Sequence, residues 1–259
     1  MTHNNMAPVE GHNPSQPATD YDTAADFYAS IFSIHLARSS DDVSVSQALR
    51  YRVYCEETGF LPKDRNPGGL ERDAFDLRSE SILLTHKATG TCSGTVRVIL
   101  PQANPDAALL PALTCSEDML ALTKGSIPLE TTGEISRFTI APEFRRRAGD
   151  TLYQQVYDVD APGADARRII PYMALGLFTG ILEVVKLHKL SHLCAVIDPP
   201  LLRILRRLHV HFHPVGDLVD YHGKRQPVIV STQELYSRMQ SLPKAYLRIV
   251  NRDGQLNLH

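Results

Sequence analysis

The sequence lacks several features that would assign a function directly. In 259 residues it has no tryptophan and four cysteines, Cys55, Cys92, Cys115 and Cys194, which are far apart and form no C-x-x-C pair. This spacing is typical of reduced core thiols rather than of a disulfide framework or a zinc site. Neither G-x-G-x-x-G nor G-x-x-x-x-G-K-[ST] occurs. The sequence therefore gives no support for a dinucleotide-binding enzyme or a P-loop enzyme.

An excess of charge of one sign is also missing. Lys and Arg number 27 and Asp and Glu number 29, which gives a formal net charge of −2 at pH 7. This balance excludes a uniformly basic nucleic-acid-binding protein, although it permits a local basic patch. We expect no nucleic-acid partner.

The sequence contains no recognisable secretory signal and no convincing membrane span. The first twenty residues lack a basic segment followed by an apolar one. The one long apolar run, residues 169–187, contains Pro171, Glu183 and Lys186. A buried helix tolerates these residues better than a bilayer does. We therefore expect a cytoplasmic protein without an integral membrane span.

The periodicity of the chain predicts one α/β domain. Residues 1–22 are rich in Asn, Pro and Gly, so we expect a disordered tail there and a single domain over residues 23–259. Strands are predicted near 32–36, 81–86, 93–100, 133–141, 192–197 and 228–230, and helices near 40–59, 171–189, 201–208 and 233–240. The order β-α-β-β-β-α-β-α-β predicts a mixed sheet with helices on its faces.

Three short motifs follow one another along the first half of this domain. In the first, Arg50 is followed four residues later by Tyr54 and then by Phe60. In the second, residues 71–76 read Glu-Arg-Asp-Ala-Phe-Asp, and in the third, residues 134–138 read Glu-Ile-Ser-Arg-Phe.

A further arginine, Arg97, lies between the second and third motifs in the strand Gly-Thr-Val-Arg-Val. In this order, the motifs and Arg97 resemble those of the acyl-homoserine-lactone autoinducer synthases and their relatives, whose patterns include E-x-D-x-x-D and E-[LI]-S-R-F. The resemblance covers about residues 30–141. It implies the GNAT fold, in which helices flank a mixed central sheet.

Two departures from the autoinducer synthases point to a sister group. The chain is longer than is typical of those synthases, and Tyr54 and Phe60 stand where the family usually has Phe and Trp. These features resemble the N-acyl amino acid synthases, including those associated with the PEP-CTERM/exosortase system. The resemblance implies transfer of a fatty acyl chain from acyl carrier protein to the amine of an amino acid. The phosphopantetheine arm of acyl-ACP, or acyl-CoA, would be the donor, with no permanently bound cofactor.

Aminolysis of a thioester needs a proton acceptor, stabilisation of the carbonyl oxygen and alignment of both substrates. Glu134 is the candidate proton acceptor, and Ser136 and Arg137 complete the candidate catalytic set. Strand alternation places Glu134 and Ser136 on one face and Arg137 on the other, unless a β-bulge intervenes.

Residues around the motifs are candidates for substrate binding. Asp73 and Asp76 either bind a substrate ammonium or pair with arginines. If the acceptor is an amino acid, a bidentate guanidinium suits its carboxylate, and the candidates for that role are Arg50, Arg97 and Arg137. A backbone N–H of the strand at residues 138–140 is the candidate partner of the thioester carbonyl. Phe138 and Ile140 either border the acyl tunnel or belong to the core. The candidate substrate-binding residues are Arg50, Tyr54, Phe60, Asp73, Asp76, Arg97, Phe138 and Ile140.

Five arginines cluster in a polar stretch after the third motif. They are Arg145, Arg146, Arg147, Arg167 and Arg168. A basic patch would steer the acidic acyl carrier protein to the protein. Alternatively, residues 146–149 resemble a degenerate pyrophosphate loop of acyl-CoA enzymes, or the run is a solvated basic loop.

Three histidines, His209, His211 and His213, alternate with apolar residues and would share one face of a strand. Such a cluster could bind a metal, but no carboxylate has suitable spacing nearby and the fold needs no metal. We expect no metal site.

Two other functions stay open at this point. One is an acyl-homoserine-lactone synthase that uses S-adenosylmethionine. The other is a non-catalytic module that kept the fold and binds an acyl ligand.

Overall fold

A mixed sheet forms the centre of the protein. The computed structural model describes residues 20–101, 109–145, 169–221 and 223–251. Its strands are β1 (Phe32–Leu36), β2 (Ser79–His86), β3 (Thr91–Ile99), β4 (Thr132–Ile140), β5 (His192–Ile197), β6 (His213–Pro214), β7 (Val219–Asp220) and β8 (Lys224–Ser231). Its α-helices are α1 (Asp20–Ile31), α2 (Ser40–Tyr51), α3 (Glu117–Leu122), α4 (Pro142–Arg145), α5 (Ile169–Leu187), α6 (Pro199–Arg207), α7 (Thr232–Met239) and α8 (Lys244–Val250).

The strand order is β1-β2-β3-β4-β5-β8-β6, and β7 pairs with β8. Strands β4 and β5 run parallel, whereas the other neighbouring pairs are antiparallel. The predicted mixed sheet flanked by helices is confirmed. The parallel pairing ends at Ile135 and Ala195, although β4 continues to Ile140 and β5 to Ile197. The two strands therefore diverge, and a cleft opens between them.

Helix α2 begins with a complete capping box. The Ser39 hydroxyl accepts a hydrogen bond from the Asp42 amide at 3.1 Å, and the Asp42 carboxylate accepts one from the Ser39 amide at 3.2 Å. This pairing satisfies two of the N–H groups that a helix start leaves open. The helix continues as a π-helix, Arg52–Glu57, and the segment ends before Gly59, whose φ is +63°. The predicted helix from residue 40 to about 59 is confirmed, with a change of helix type in its second half.

Helix α5 is the long apolar run of the sequence. The window Ile170–Leu187 is long and apolar enough to cross a membrane by length and composition, but 67% of it is buried inside the fold. Buried side chains such as Met173, Phe178 and Ile181 belong to the main hydrophobic core. The prediction of a buried helix rather than a span agrees with this packing.

The chain ends of the fold differ from the sequence expectation. Residues 20–22, assigned to the tail, are the first residues of α1, and residues 1–19 lie outside the described part. Helix α8 was not predicted, because its apolar face is short and follows Pro243 closely. It packs beside α1 and α5, with Arg248 paired to Asp26 and the rings of Tyr172 and Tyr246 6.0 Å apart.

Close packing between α5 and β2 depends on Gly180. A Cβ atom at this position would lie 2.4 Å from Cγ2 and 3.0 Å from Cγ1 of Ile82, which is fully buried. Gly180→Ala should lower the free energy of unfolding by about 1–3 kcal/mol, the usual cost of overpacking. Helix propensity alone would give a gain of about 1 kcal/mol. Chemical denaturation of the purified variant measures whether the free energy of unfolding falls or rises.

The double variant Gly180→Ala/Ile82→Ala is the control for this clash. Because Ile82→Ala removes both atoms that collide with the new methyl group, the double variant should lose less stability than the sum of the single variants. Additive losses would contradict the proposed contact.

Candidate active site

Six charged side chains meet beside the cleft, and all three sequence motifs contribute to them. They form an arginine–carboxylate network made of Arg50, Arg97, Arg137, Glu71, Asp73 and Asp76. Three positive and three negative charges make the network neutral. Buried charges are tolerated when they are paired in this way.

Arg50 anchors the network from helix α2. Its side chain is fully buried. Its Nε donates to Glu71 at 2.5 Å, and its two Nη atoms donate to both carboxylate oxygens of Asp76 at 2.7 and 3.1 Å. This bidentate pair joins α2 to the loop before β2.

Arg97 joins the same loop to β4. Its Nη atoms donate to the two oxygens of Asp73 at 2.6 and 3.0 Å, and Nη1 also donates to Asp76 at 3.0 Å. Its Nε donates to the Ser136 hydroxyl at 3.0 Å. Asp73 and Asp76 therefore do pair with Arg50 and Arg97, one of the two alternatives left open by the sequence. An ammonium-binding role stays a prediction.

A β-bulge turns Arg137 into the network. The register with β3 changes between Thr95↔Thr139 and Arg97↔Ser136, so β4 has one extra residue there. Arg137 takes up a φ of +54°, in the left-handed region that non-glycine residues seldom occupy. Regular alternation would have placed Arg137 on the opposite face from Ser136. The bulge, which is the alternative left open by the sequence, changes this placement.

The Arg137 guanidinium is held by two carboxylates and a ring. Glu71 accepts hydrogen bonds from its Nε at 3.1 Å and its Nη2 at 2.9 Å, and Asp73 accepts one from Nη2 at 3.1 Å. The guanidinium carbon lies 5.6 Å from the ring centroid of Tyr54. The Tyr54 hydroxyl in turn accepts a hydrogen bond from Thr139 at 3.0 Å. These contacts fix the bulged part of β4.

The network keeps its carboxylates ionised. Burial on its own would raise the pKa of Asp76, but the hydrogen bonds and charge of Arg50, with the charge of Arg97, lower it to about 2. Burial also opposes ionisation of Glu71 and Asp73, and their arginine partners again lower both pKa values. The network therefore stays charged through the neutral pH range.

Glu134 behaves differently, although it lies on the same strand. Its side chain has no salt-bridge partner among the described residues, and the residue is 5% exposed. One oxygen accepts a hydrogen bond from the Ala112 amide at 2.8 Å. Burial raises the pKa of Glu134 to about 7, despite the Ala112 hydrogen bond and the charges of Arg97 and Arg137. A carboxyl with this pKa can take up and release a proton near neutral pH.

The cleft between β4 and β5 has a volume of about 520 Å³. Its polar part is lined by Asp73, Arg97, Glu134, Ser136, Arg137 and Tyr221. Its apolar part includes Ile140, Phe178, Ile181, Leu201, Ile204 and Phe212. A polar centre that continues into an apolar passage suits a substrate with a reactive head and a hydrocarbon chain.

The structure brings most of the candidate residues to this cleft. The candidates that line it are Tyr54, Phe60, Asp73, Arg97, Glu134, Ser136, Arg137, Phe138, Ile140 and Arg145. Arg50 and Asp76 lie behind them in the network. Phe138 and Ile140 thus border the cleft as well as packing in the core.

Some contributors were not found from the sequence. Glu71 is the first residue of the second motif, but the sequence pattern assigned it no role. In the structure it bridges Arg50 and Arg137. The Ala112 amide and the cleft residues Tyr221 and Arg225 belong to no motif, so no sequence pattern marked them.

Only one of the five clustered arginines lies in the described part of the chain. Arg145 lines the cleft, pairs with Glu57 and donates from Nε to the Ile140 carbonyl at 2.8 Å. The predictions for the remaining four fall outside the described residues. They concern Arg146, Arg147, Arg167 and Arg168.

The three histidines do not assemble into a cluster. His213 bonds to Glu234 at 2.6 Å, and His209 is in a turn with a φ of +61°. His211 lies between them outside any strand. Across the described ranges, no group of three or more His, Cys, Asp or Glu side chains is placed to hold a metal ion.

Comparison with known families defines the class of the protein. Residues 49–155 match the acetyltransferase (GNAT) domain. This range contains all three motifs, Arg97 and the bulged strand β4. The chain is an acyltransferase built on the GNAT fold.

Similar solved structures include an N-acyl amino acid synthase and an acyl-homoserine lactone synthase. TofI, in a ternary complex with an inhibitor and MTA, is 20% identical over 83% of this chain and 99% of its own, with a TM-score of 0.54. FeeM, an N-acyl amino acid synthase from uncultured soil microbes, is 16% identical over 80% of this chain and 93% of its own, with a TM-score of 0.52.

A third similar structure is BjaI, a CoA-dependent acyl-homoserine lactone synthase with SAM and isopentyl-CoA. It is 17% identical over 86% of this chain and 90% of its own, with a TM-score of 0.55. At these identities the likeness establishes the fold. The comparison with curated proteins gives no match. The predicted resemblance to autoinducer-synthase-like GNAT acyltransferases is confirmed, whereas the link to the PEP-CTERM system stays a prediction.

Removing one charge from the network should destabilise the protein strongly. Asp76→Asn leaves Arg50 and Arg97 with an uncompensated buried positive charge, which typically costs about 3–5 kcal/mol. The folded pKa of about 2 lies below the ordinary value of 3.8. The decrease in the free energy of unfolding should therefore have its full size above pH 3.8 and should become smaller as the pH falls towards 2. Denaturation curves at several pH values measure it.

An exposed ion pair supplies the matched control. Glu143 pairs with Arg52 at 2.7 Å, where the side chains are 31% and 47% exposed. Glu143→Gln should change the free energy of unfolding by about 0–1 kcal/mol. Equal losses of stability in Asp76→Asn and Glu143→Gln would contradict the prediction that the buried network contributes more to stability than the exposed pair does.

Proposed function

We propose that the protein is an N-acyltransferase that moves a fatty acyl chain from acyl carrier protein to the amine of an amino acid. The observation that carries this proposal is Glu134, a buried carboxyl with a pKa of about 7 that faces a cleft between two diverging strands. Thioester aminolysis needs a proton acceptor of this kind next to an acyl-binding passage.

The acyl donor would lie along the diverging part of β4. The phosphopantetheine arm enters between β4 and β5, and the hydrocarbon chain occupies the apolar passage towards Phe178 and Ile204. A backbone N–H beyond the bulge, in the stretch 138–140, stabilises the thioester oxygen as negative charge develops. Arg145 at the cleft is the described member of the basic surface that would receive acidic acyl carrier protein in the cytoplasm.

The chemistry needs no covalent enzyme intermediate. The neutral amine attacks the thioester carbon, a C–N bond forms, and the tetrahedral intermediate collapses with loss of the C–S bond. Glu134 takes the proton from the attacking amine, and that proton finally reaches the carrier thiolate. Ser136 and Arg137 keep β4 in place through their bonds to Arg97 and Glu71.

The cysteines offer no alternative nucleophile in this scheme. Burial raises the pKa of Cys55, and it raises that of Cys92 to about 12. Burial likewise raises the pKa of Cys115 and Cys194. A thiol that is not ionised near neutral pH is a poor nucleophile.

A second candidate has support from the similar structures. BjaI was solved with SAM and isopentyl-CoA, so a lactone synthase and a CoA donor are compatible with this fold. FeeM, an N-acyl amino acid synthase, has a similar fold, so an amino acid acceptor is also compatible with it. We favour an amino acid because Tyr54 and Phe60 replace the aromatic residues usual in the lactone synthases.

An acceptor panel tests the proposal. The purified full-length protein is incubated with acyl carrier protein loaded with long acyl chains, together with the standard amino acids or S-adenosylmethionine, and products are identified by mass spectrometry. An N-acyl amino acid with a free carboxyl group is expected. An acyl-homoserine lactone would assign the second function, and bound lipid without turnover would identify a non-catalytic module.

The pH dependence of turnover should follow Glu134. Because the base is active when ionised, the ratio of the parent kcat/KM to that of Glu134→Gln should rise with pH up to about 7 and level off above it. Glu134→Gln should lower turnover by roughly ten- to ten-thousand-fold and remove this limb of the profile. The ionisation of the amine is common to both proteins, so the difference between their profiles isolates Glu134.

Two controls accompany this profile. Glu143→Gln, at the surface, should retain the parent profile. Glu134→Gln should not lower the Tm at pH 8, because it removes a buried negative charge and keeps an acceptor for the Ala112 amide. An unchanged limb in the Glu134→Gln profile would refute the role of this carboxyl.

A further inference from the structure

A hairpin outside the three motifs forms one wall of the cleft. Strands β7 and β8 pair through Val219↔Arg225 and Asp220↔Lys224. The last pair between β5 and β8 is Ile197↔Gln226, so Arg225 sits next to the end of β5, where the cleft opens. Both Tyr221 and Arg225 line the cleft.

The hairpin reaches the same space as the catalytic candidates. Burial raises the pKa of Tyr221, and the charges of Glu134, Arg137 and Asp73 also act on its hydroxyl group. A substrate beside Glu134 would therefore lie within reach of the hairpin side chains. The pairing of the hairpin with β5 holds this wall against the central sheet.

The guanidinium of Arg225 is oriented by its neighbours and forms only a long ion pair, with the partly exposed Asp198. It lies 5.7 Å from the ring centroid of Phe60. Its contact with Asp198 is 3.7 Å long, and its Nη1 donates to the Lys224 carbonyl at 3.3 Å. In the described part of the chain, no carboxylate lies within hydrogen-bond distance of this guanidinium. Its side chain is 20% exposed, so donors remain for a ligand.

The three arginines of the network are already bound to carboxylates. Arg50 and Arg97 are 0% and 1% exposed, and both are held by bidentate pairs. Arg137 donates from Nε and Nη2 to two carboxylates. A substrate carboxylate that bound to any of these would have to compete with a buried partner. At Arg225 a substrate carboxylate would compete only with the partly exposed Asp198 at 3.7 Å, so a bidentate pair can form there at a lower cost.

We propose that Arg225, oriented by the Phe60 ring, binds the carboxylate of the acceptor amino acid. This inference rests on the proposed function and adds the residue that distinguishes an amino acid from a simple amine. The carboxylate is held at the hairpin, and the neighbouring amine is thereby directed towards Glu134 and the thioester. Charged hydrogen bonds of this kind give the site a preference for acids over neutral analogues.

The test compares each standard amino acid that is turned over with its own carboxamide, using loaded acyl carrier protein as donor. The parent protein should prefer the acid. Arg225→Gln should raise the KM for the acid by roughly 10- to 100-fold, with little change in kcat and no change in the KM for the carboxamide. Arg225→Lys should recover part of the preference for the acid, because lysine keeps the positive charge but lacks the two parallel N–H donors of a planar guanidinium.

Arg238→Gln is the matched control. Arg238 pairs with Glu234 on α7, does not line the cleft and is 45% exposed. This variant should retain the parent preference and the parent Tm. Measuring the Tm of Arg225→Gln as well separates a loss of recognition from a loss of folding.

Results that would overturn the role of Arg225 differ from results that would overturn the proposed function. If the parent protein acylates acids and carboxamides equally, or if Arg225→Gln keeps the preference, the inference is wrong and the acyltransferase function stands. A KM increase of equal size for acid and carboxamide would also overturn it, since it would indicate a general effect on the site. Absence of product with every acceptor would overturn the proposed function itself.

Discussion

The pairing of three arginines with three carboxylates is the constraint on which the rest of the site depends. Arg50 comes from α2, Arg97 from β3 and Arg137 from β4, and each binds a carboxylate of the loop before β2. The network thus joins four separated parts of the chain at one point. Because ion pairs this deep are stable only when complete, each member requires the others to be in position.

The same network explains the shape of the cleft. Arg137 reaches Glu71 and Asp73 only because β4 contains a bulge, and its left-handed φ is held in place by these two partners. The bulge lies at residues 137–138, just beyond Ile135, the last residue of β4 that pairs with β5. Fixing Arg137 therefore accompanies the divergence of the two strands. The electrostatic contacts of Arg137 are linked in this way to the opening between β4 and β5.

Two kinds of carboxyl lie side by side in this site. Arginine partners lower the pKa of Asp76 to about 2, whereas burial without an ion pair raises that of Glu134 to about 7. Environments that push pKa values apart assign different roles to chemically similar groups. The ionised set holds the structure, and Glu134 exchanges its proton near neutral pH.

Much of this arrangement followed from local patterns in the sequence. Alternation and turn residues predicted the sheet, with β5 at its observed bounds, and the family resemblance carried by the motifs pointed to Arg50, Arg97 and Glu134. The bulge could be named only as a possibility, because a left-handed arginine has no sequence signature and is stabilised by distant partners. The Ala112 amide and the hairpin residue Arg225 reach the site through tertiary packing alone.

The central claim is that the network stays ionised while Glu134 titrates near neutral pH beside the cleft. Infrared difference spectroscopy of the carboxyl band, recorded against pH for the parent protein and Glu134→Gln, tests it directly. The account predicts a band that is lost with a midpoint near pH 7 in the parent and is missing from the variant. A Glu134 band that titrates near the ordinary value of 4.5 would contradict the account.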